Sequence, residues 1–305
     1  MIRYLFARLA YMLPVVWLVV SVVFLLIHLV PGDPIQAMLG EGAAGADIQA
    51  ARHAYGLDVP LGTQYVRYWN GVLHGDLGTS LRLNKPVRSL VAKAYPATLS
   101  LTLSALIVAI LLSIPAGVRS ATRRNRWDDR ALSFFSLLGL SFPNFALGPI
   151  LILIFAIHFD WLPVSGGGSW RNLVLPAITM GASLAAILTR MVRTSMLEEL
   201  NQDYIRTARA KGLPERDVVY RHALRNALIP VVTVIGLQFG ALLAGAIVTE
   251  TIFAWPGIGR LTISAISNRD YSLVQGCLLC IGLTYVAVNF FTDLVYSALN
   301  PRIRQ

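Results

Sequence analysis

Six long apolar runs dominate this chain and restrict the folds open to it. They cover residues 10–30, 98–118, 131–157, 173–191, 229–250 and 272–298. At 1.5 Å per residue, a helix of about 21 residues reaches about 31 Å, which matches the hydrocarbon thickness of a bilayer. Only 14% of the residues are charged, against about 25% in a soluble domain. The runs therefore predict an all-α integral membrane protein with six transmembrane helices, the third of them bent by Pro143.

Lysine and arginine residues cluster at the ends of these runs. The formal net charge is +10, but a nucleic-acid-binding domain gathers its basic residues on one polar face, so no nucleic-acid partner is expected. The clusters instead report orientation, because cytoplasmic connections are enriched in Lys and Arg. Of the 26 basic residues, 17 fall on one side of the predicted bilayer and nine on the other. Both termini, including residues 1–9, are therefore predicted to be cytoplasmic.

A long segment, residues 31–96, is predicted to lie outside. It opens with the turn Pro31-Gly32-Asp33-Pro34 and is expected to form short helices on the outer membrane surface.

The first run lacks a small-residue cleavage site, which favours an uncleaved helix over a signal peptide. Cys277 and Cys280 lie inside the sixth run, where cysteine packs as a small apolar residue. Residues 10–305 are expected to form a single transmembrane domain.

Residues 192–228 are too polar to lie in lipid and are predicted to form two cytoplasmic helices. Ser195 with Glu198 is a capping-box pattern, which predicts the start of the first helix. Gly212 follows a basic last turn and predicts the end of that helix. The apolar stripe of the helix is expected at Leu197, Leu200, Tyr204 and Ala208.

The second cytoplasmic helix is predicted to begin at Pro214, a residue type favoured in the first turn. Asp217 precedes Arg221 by four residues, the favourable order for an ion pair. Two interpretations fit the region: an amphipathic loop held on lipid headgroups, or a docking surface for a soluble partner. Five acidic residues beside seven basic ones, together with small alanines at 208 and 210, favour docking to a protein.

This cytoplasmic region resembles a known signature, the "EAA" loop of binding-protein-dependent ABC importer permeases. It is most similar to the peptide/nickel subgroup, of the dipeptide, oligopeptide and glutathione permease B type. Other stretches fit the same subgroup in order and spacing, so the resemblance covers essentially the whole chain. They are Pro31-Gly32-Asp33-Pro34, Gly75-Asp76-Leu77-Gly78-Thr79-Ser80, Ser141-Phe142-Pro143, Leu175-Pro176-Ala177, residues 250–260, and Asn300-Pro301-Arg302-Ile303-Arg304.

The chain departs from the generic signature in two places. It has Arg206-Thr207-Ala208 where the signature has Glu-Ala-Ala, and the interval from Gly212 to Pro230 is longer. Both departures are common in permeases of the peptide subgroup. The connection at residues 159–172 is short, which resembles glutathione-type and short peptide permeases.

The resemblance implies a type I ABC importer permease in the bacterial cytoplasmic (inner) membrane, working with several partners. These are a second, homologous permease, two ABC ATPase subunits and an extracytoplasmic solute-binding protein. The sequence contains no Gly-Lys dipeptide and hence no Walker A loop. This chain is therefore not expected to be an enzyme or to bind a cofactor, since ATP and Mg²⁺ would be held by the ATPases.

The resemblance also implies roles for particular residues. ATPase coupling would fall to residues 203–213, here called the coupling segment: Asp203, Arg206, Thr207, Ala208, Arg209, Ala210, Lys211, Gly212 and Leu213. Residues 31–96 and 251–271 would receive the binding protein, through Asp76, Trp255, Pro256 and Gly257. A membrane-interface anchor is the alternative interpretation of Trp255.

Polar residues inside the predicted spans are candidates for the transport pathway. A polar group within a membrane is costly and tends to face a cavity or a partner, although hydrogen bonds between helices explain such residues equally. The candidates are Asn144, Gln238, Glu250, Asn289 and Asp293.

Three other classes of function fit the sequence less well than an importer. An intramembrane serine protease would need a nucleophile such as Ser183 with a second neighbouring glycine and a mid-span histidine, and the sequence has neither. An ATP-independent channel or secondary transporter, or a receptor or scaffold, would leave the cytoplasmic docking region unexplained. The substrate stays open at this point among dipeptides, oligopeptides, glutathione and nickel.

Overall fold

The computed structural model describes residues 2–29, 35, 45–54, 56–80 and 82–299, most of which are helical. In chain order the elements are α1 (Ile2–Leu29), α2 (Gly45–Ala54), α3 (Leu61–His74), β1 (Thr79–Ser80), β2 (Lys85–Pro86), α4 (Val87–Thr122), α5 (Trp127–Ser141), α6 (Asn144–Leu151), a π-helical segment (Ile152–His158), α7 (Trp170–Leu200), α8 (Asp203–Ala210), α9 (Glu215–Asp217), a second π-helical segment (Val218–Ala223), α10 (Leu224–Ile252), α11 (Ile258–Ser267) and α12 (Tyr271–Leu299).

The membrane-spanning helices confirm the predicted all-helical fold. Among the described residues, five unbroken helices are long and apolar enough to cross a bilayer, and a bent pair supplies a sixth if it is counted as one span. The unbroken helices are α1, α4, α7, α10 and α12, and each contains one predicted run or nearly all of it. The span count of six is therefore approximate.

The third predicted span is broken rather than merely bent. Helix α5 ends at Ser141, and α6 starts directly after Pro143 at an angle of 111°. Phe142 is extended, as the residue before a proline prefers to be. Proline also lacks the N–H that would continue the helical hydrogen-bond ladder. Pro143 therefore marks the break at the position where the sequence predicted a kink.

The described chain divides into two compact units. The first comprises Met1–Thr98 and Pro256–Ala287, and the second Leu99–Trp255 and Val288–Gln305. The single domain expected for residues 10–305 stays a prediction. The turn at residues 31–34 and the stretch 300–304, which contributed to the resemblance, lie outside the described residues.

The core of the first unit consists of two apolar clusters. One joins α4, α11 and α12, and the other joins α1 and α12. Cys277 is fully buried in the first cluster, Cys280 packs against it, and both thiols are free. The predicted packing role of the cysteines is confirmed. Helices α2 and α3 confirm the short helices expected within residues 31–96, while their place on the outer membrane surface stays a prediction.

A short hairpin in the first unit was not predicted. Strands β1 and β2 pair antiparallel, with Ser80 opposite Lys85. The buried Ser80 hydroxyl donates a hydrogen bond to the Asp270 carboxylate at 2.5 Å. The other oxygen of Asp270 accepts the N–H of Leu273 at 3.2 Å, in the first turn of α12. The hairpin is thereby joined to α12, and α4 starts directly after it at Val87 rather than at residue 98.

The second unit is built around α7, which packs against α5, α6 and α10. Helix α4 also approaches α7 closely at two glycines. A Cβ atom on Gly181 would lie 2.6 Å from the Ala105 carbonyl oxygen, and one on Gly117 would lie 2.6 Å from the Val192 Cβ. Small residues let helix backbones approach in this way. Because positions 105 and 117 meet 181 and 192 in the same order, α4 and α7 run in the same direction and their C-terminal ends share one side.

Candidate functional site

A two-residue break at positions 201–202 separates the coupling segment from α7. Helix α7 continues through Ser195 and Glu198 to Leu200, so the predicted capping box is wrong. Ser195 is buried there beside Met196, and packing of that face carries the helix past the local start signal. Helix α8 instead begins at Asp203, after Gln202 in extended conformation. An acidic residue in the first turn suits the positive end of the helix dipole.

Two side chains anchor α8 to the rest of the second unit. Ile205 is 0% exposed and Ala208 is 6% exposed, and α8 packs against the π-helical segment Val218–Ala223. Ala208 was a predicted member of the apolar stripe, but Tyr204 is 38% exposed and Ile205 takes the buried position. The prediction missed Ile205 because it extended one helical period from Leu197 across the break at residues 201–202.

The C-terminal end of α8 is fixed by Gly212. Its φ of +77° lies in the left-handed region, which glycine adopts without steric cost. The N–H of Gly212 donates to the Arg209 carbonyl at 2.9 Å, and the N–H of Leu213 donates to the Ala208 carbonyl at 3.4 Å. This pair of bonds is the Schellman motif. The predicted glycine stop is confirmed.

A tyrosine connects α8 to both long helices beside it. The phenol of Tyr204 donates a hydrogen bond to the Glu199 carboxylate near the end of α7. The same oxygen accepts a hydrogen bond from Asn226 Nδ2, in the first turn of α10, at 3.0 Å. Burial, and then the contact with Glu199, raise the pKa of Tyr204, so the phenol stays protonated as the donor. Sequence patterns gave no signal for this junction, since Asn226 is 22 residues away.

An ion pair closes the turn after α8. The Arg209 guanidinium donates from Nη2 to Glu215 Oε1 at 2.7 Å and from Nε to Oε2 at 3.1 Å. The predicted pair between Asp217 and Arg221 is absent from the ion pairs of the described chain. The physical reason is the change to π-helix at Val218, because its wider turn moves a side chain four residues on away from its α-helical position.

Most of the coupling segment faces outward. Asp203, Arg206, Thr207, Arg209, Ala210, Lys211, Gly212 and Leu213 are exposed, and Ala208 is the buried member of the predicted set. Arg206 lies 3.4 Å from Asp203, with both side chains largely in solvent. The surface thus combines both signs of charge with small residues and the apolar Leu213, a composition suited to contact with a soluble protein.

A buried acidic doublet lies at the same end of the second unit and escaped the sequence analysis. Asp129 accepts two hydrogen bonds from the Arg193 guanidinium, at 2.7 and 2.9 Å. It also accepts the Ser120 hydroxyl at 2.5 Å and the Asn125 N–H at 2.9 Å. The cluster therefore joins the end of α4, the start of α5 and α7. Sequence reasoning counted these arginines only as an orientation signal.

Asp128, the other acid of the doublet, is also buried and pairs within its own connection. Its Oδ2 forms ion pairs with Arg119 Nη2 at 2.8 Å and with Arg123 Nη1 at 2.7 Å. Both guanidinium groups remain about half exposed, so they close over the carboxylate from the solvent side.

Three of the five candidate pathway residues lie near one helix crossing in the second unit. A Cβ atom on Gly236 would lie 2.0 Å from Thr292 Cγ2, so α10 and α12 nearly touch there. The half-buried Gln238, Asn289 and Asp293 lie within one turn of that crossing. Glu250 is fully buried near the other end of α10. The side chain of Asn144 lies outside the described residues.

The residues expected to receive a binding protein are differently placed. Asp76 is exposed, and its carboxylate accepts the Gly78 N–H at 3.0 Å in the turn before β1. Trp255 is 6% exposed, and its backbone N–H donates to the Glu250 carbonyl at 2.8 Å. The indole is therefore buried and is not presented on the surface. Pro256 is exposed and Gly257 is buried.

The described residues include no group of three His, Cys, Asp or Glu side chains placed to hold a metal ion. That this chain binds no cofactor of its own stays a prediction.

Comparison with known families matches almost the whole chain. Residues 109–305 match the binding-protein-dependent transport system inner membrane component, and residues 1–102 match the N-terminal membrane component of the same systems. The glutathione transport system permease protein GsiC of Salmonella paratyphi A is 44% identical over 304 residues, covering 100% of this chain and 99% of that protein. GsiC of Escherichia coli K12 is 42% identical with the same coverage.

Solved structures show the fold at lower sequence identity. The inward-facing MetNI methionine ABC transporter matches with a TM-score of 0.60 and 18% identity, over 69% of this chain and 96% of that chain. An amino acid ABC transporter matches with a TM-score of 0.53 and 13% identity, over 70% of this chain and 94% of that one. The chain is a multi-pass inner-membrane transport subunit rather than an enzyme, and it belongs to the permeases of binding-protein-dependent ABC importers.

Proposed function

We propose that this permease forms half of the membrane pathway for glutathione or a closely related short peptide. Its relatives named as glutathione permeases align over the full chain at 42–44% identity, and that is the observation on which the substrate depends. The match includes the external segment, where a binding protein would deliver the substrate. Dipeptides, longer oligopeptides and nickel are the less favoured substrates.

The proposed complex contains a second, homologous permease, two ATPases and an external binding protein. The coupling segment is the surface on which an ATPase docks. Its outward face is mixed in charge, and Leu213 adds an exposed apolar side chain at the turn. The ATP and Mg²⁺ sites belong to the ATPases, and both termini of this chain face the same cytoplasmic side as the coupling segment.

Movement of the docked ATPase is proposed to reach the spans through two sets of contacts. The first is the Tyr204 junction, which links α8 to α7 and α10. The second is the Asp129–Arg193 pair, which links α7 to α5. Two polar contacts and the buried Ile205 hold α8 against its neighbours, so the helix can transmit a displacement instead of swinging freely.

The crossing of α10 and α12 supplies the proposed pathway residues of this subunit. Gln238, Asn289 and Asp293 present amide and carboxylate groups that can bind the backbone and charged ends of a peptide. Asn144 and Glu250 are secondary candidates. On the outside, the exposed Asp76 and Pro256 are proposed to contact the binding protein, and the buried Trp255 and Gly257 to support the turn that carries Pro256.

Uptake by cells tests the substrate. A strain that expresses the complete transporter is expected to accumulate radiolabelled glutathione, and unlabelled glutathione, but not nickel ions, should compete. The matched control is the same strain with the permease deleted. Uptake of labelled nickel or of a longer oligopeptide, with no uptake of glutathione, would refute the substrate assignment while leaving the importer family intact.

A further inference from the structure

The end of α4, the connection after it and the first turn of α5 carry five arginines between positions 119 and 130. Arg119 and Arg123 pair with the buried Asp128. The other three, Arg124, Arg126 and Arg130, are exposed. In the described part of the chain, none of these three side chains takes part in an ion pair or a hydrogen bond. They form an unneutralised cationic surface.

The acidic residues of the connection are turned away from that surface. Asp128 and Asp129 are only 3% and 4% exposed. Arg119 and Arg123 form ion pairs with Asp128, and Arg193 forms one with Asp129. Asn125 adopts the left-handed conformation with φ of +64°, and its N–H donates to Asp129 at 2.9 Å. The doublet therefore fixes the turn on which Arg124 and Arg126 are carried. The cationic surface is built by the fold and is not a flexible basic run.

The adjoining face of α5 indicates what the surface meets. Trp127 is 74% exposed in the first turn, and Arg130 follows three residues later. Phe134, Leu137 and Leu138 continue the same face at helical spacing and are also exposed. A stripe of exposed apolar side chains that ends in tryptophan and arginine is typical of a helix at the lipid headgroup level. A site for a soluble protein would not be expected to continue into such a stripe.

We propose that Arg124, Arg126 and Arg130, with Trp127 beside them, bind the phosphate headgroups of anionic phospholipids. A guanidinium group matches phosphate through paired N–H donors, and the indole of Trp127 lies at the boundary between headgroups and acyl chains. The site consists of residues separate from the coupling segment and from the candidate pathway residues. It would hold the ends of α4 and α5 at a fixed depth in the membrane.

Spin-labelled lipids test the site directly. The full-length protein is placed in phosphatidylcholine nanodiscs, and its association with spin-labelled phosphatidylglycerol is compared with that of spin-labelled phosphatidylcholine. The wild type should prefer phosphatidylglycerol. In the Arg124→Gln/Arg126→Gln/Arg130→Gln variant that preference should fall about fivefold or more, since one basic residue at the headgroup level contributes roughly that factor.

Two further variants make the result specific. The triple lysine replacement at the same positions keeps the charge and should retain most of the preference. Arg82→Gln/Lys85→Gln/Lys93→Gln removes the same charge from exposed residues elsewhere and should also retain it. A wild type without a preference, or equal losses in both glutamine variants, would overturn the proposal. An unchanged lipid preference in the first variant would also overturn it, and loss of a co-purifying protein from that variant would identify the surface as a protein-docking site.

Discussion

The phenol of Tyr204 donates a hydrogen bond to the carboxylate of Glu199 across the break between α7 and α8. Asn226 completes the junction from α10. One side chain of the coupling segment thus contacts the ends of two long helices. In the proposed mechanism, a displacement of α8 must therefore move α7 or α10 with it, or break the hydrogen bond to Glu199 or to Asn226.

Replacing Tyr204 with phenylalanine should uncouple ATP hydrolysis from uptake. The change removes two hydrogen bonds, each with a net contribution of about 1 kcal/mol, while the aromatic ring remains. The complex should still assemble, but glutathione uptake per ATP hydrolysed should fall several-fold. Tyr220→Phe is the control, because Tyr220 is exposed and its hydroxyl makes no hydrogen bond within the described chain. Equal coupling in both variants would remove Tyr204 from the mechanism.

Substitution of Gly212 should damage the turn after α8 through its backbone. No atom lies within 4 Å of a Cβ added there, so Gly212→Ala meets no clash and costs about 1–2 kcal/mol from its left-handed conformation alone. Gly212→Pro should be more severe, because proline cannot adopt that φ and removes the N–H that donates to Arg209.

Uptake and membrane insertion should be measured together for the Gly212 variants. Both are expected to insert normally, with uptake reduced in Gly212→Ala and abolished in Gly212→Pro. Gly62→Ala is the matched control, since Gly62 is helical and its Cβ would also meet open space. Normal uptake by a well-expressed Gly212→Pro variant would refute the coupling role of this turn.

Breaking the Asp129–Arg193 pair should lower the stability of the second unit. Asp129→Asn is expected to cost roughly 3 kcal/mol, the lower end for loss of one partner from a buried pair, since the Arg193 side chain is 28% exposed. The double variant Asp129→Asn/Arg193→Gln should lose less than the two single variants added together. Thermal unfolding in detergent compares these losses through the unfolding temperatures of the two single variants and the double variant.

The exposed pair of Asp203 and Arg206 supplies the control for that experiment. Asp203→Asn should lower the unfolding temperature much less than Asp129→Asn, because an exposed ion pair and an exposed charge at a helix end contribute little to stability. If Asp129→Asn behaved like Asp203→Asn, the buried cluster would have no structural role.

Gly181→Ala should disrupt the contact between α4 and α7. The added Cβ would lie 2.6 Å from the Ala105 carbonyl oxygen, and a backbone atom cannot move aside as a flexible side chain would. Overpacking of this kind costs about 1–3 kcal/mol. The unfolding temperature should therefore fall, and an unchanged temperature would show that the two helices do not approach so closely.

Features set by neighbouring residues were predictable from the sequence. The apolar runs located the helices, Pro143 located the break in the third span, and Gly212 located the end of α8. Each depends on chemistry within a few residues: burial length, a missing N–H and a left-handed φ. The family followed from the order of several such motifs along the whole chain.

Features set by distant residues were missed or predicted wrongly. Asp129 and Arg193 are 64 residues apart, and Ser80 and Asp270 are 190 apart, so no local pattern could pair them. Ser195 carried a valid start signal that the packing of α7 overrode. The predicted ion pair between Asp217 and Arg221 does not form, because the chain changes from α-helix to π-helix at Val218. The local sequence contains no signal for that change.

Cross-linking from the coupling segment tests the central claim most directly. Cysteine is placed at Arg206 or Ala210 in a chain whose own two cysteines are replaced by alanine, and the complex is cross-linked in its native membrane. The predicted product joins this chain to a subunit that contains a Walker A motif, while cysteine at Asp76, predicted to face the other side, gives no such product. Absence of that product at both positions, with the chain purified free of any ATPase, would contradict the assignment of the coupling segment as the ATPase-docking surface.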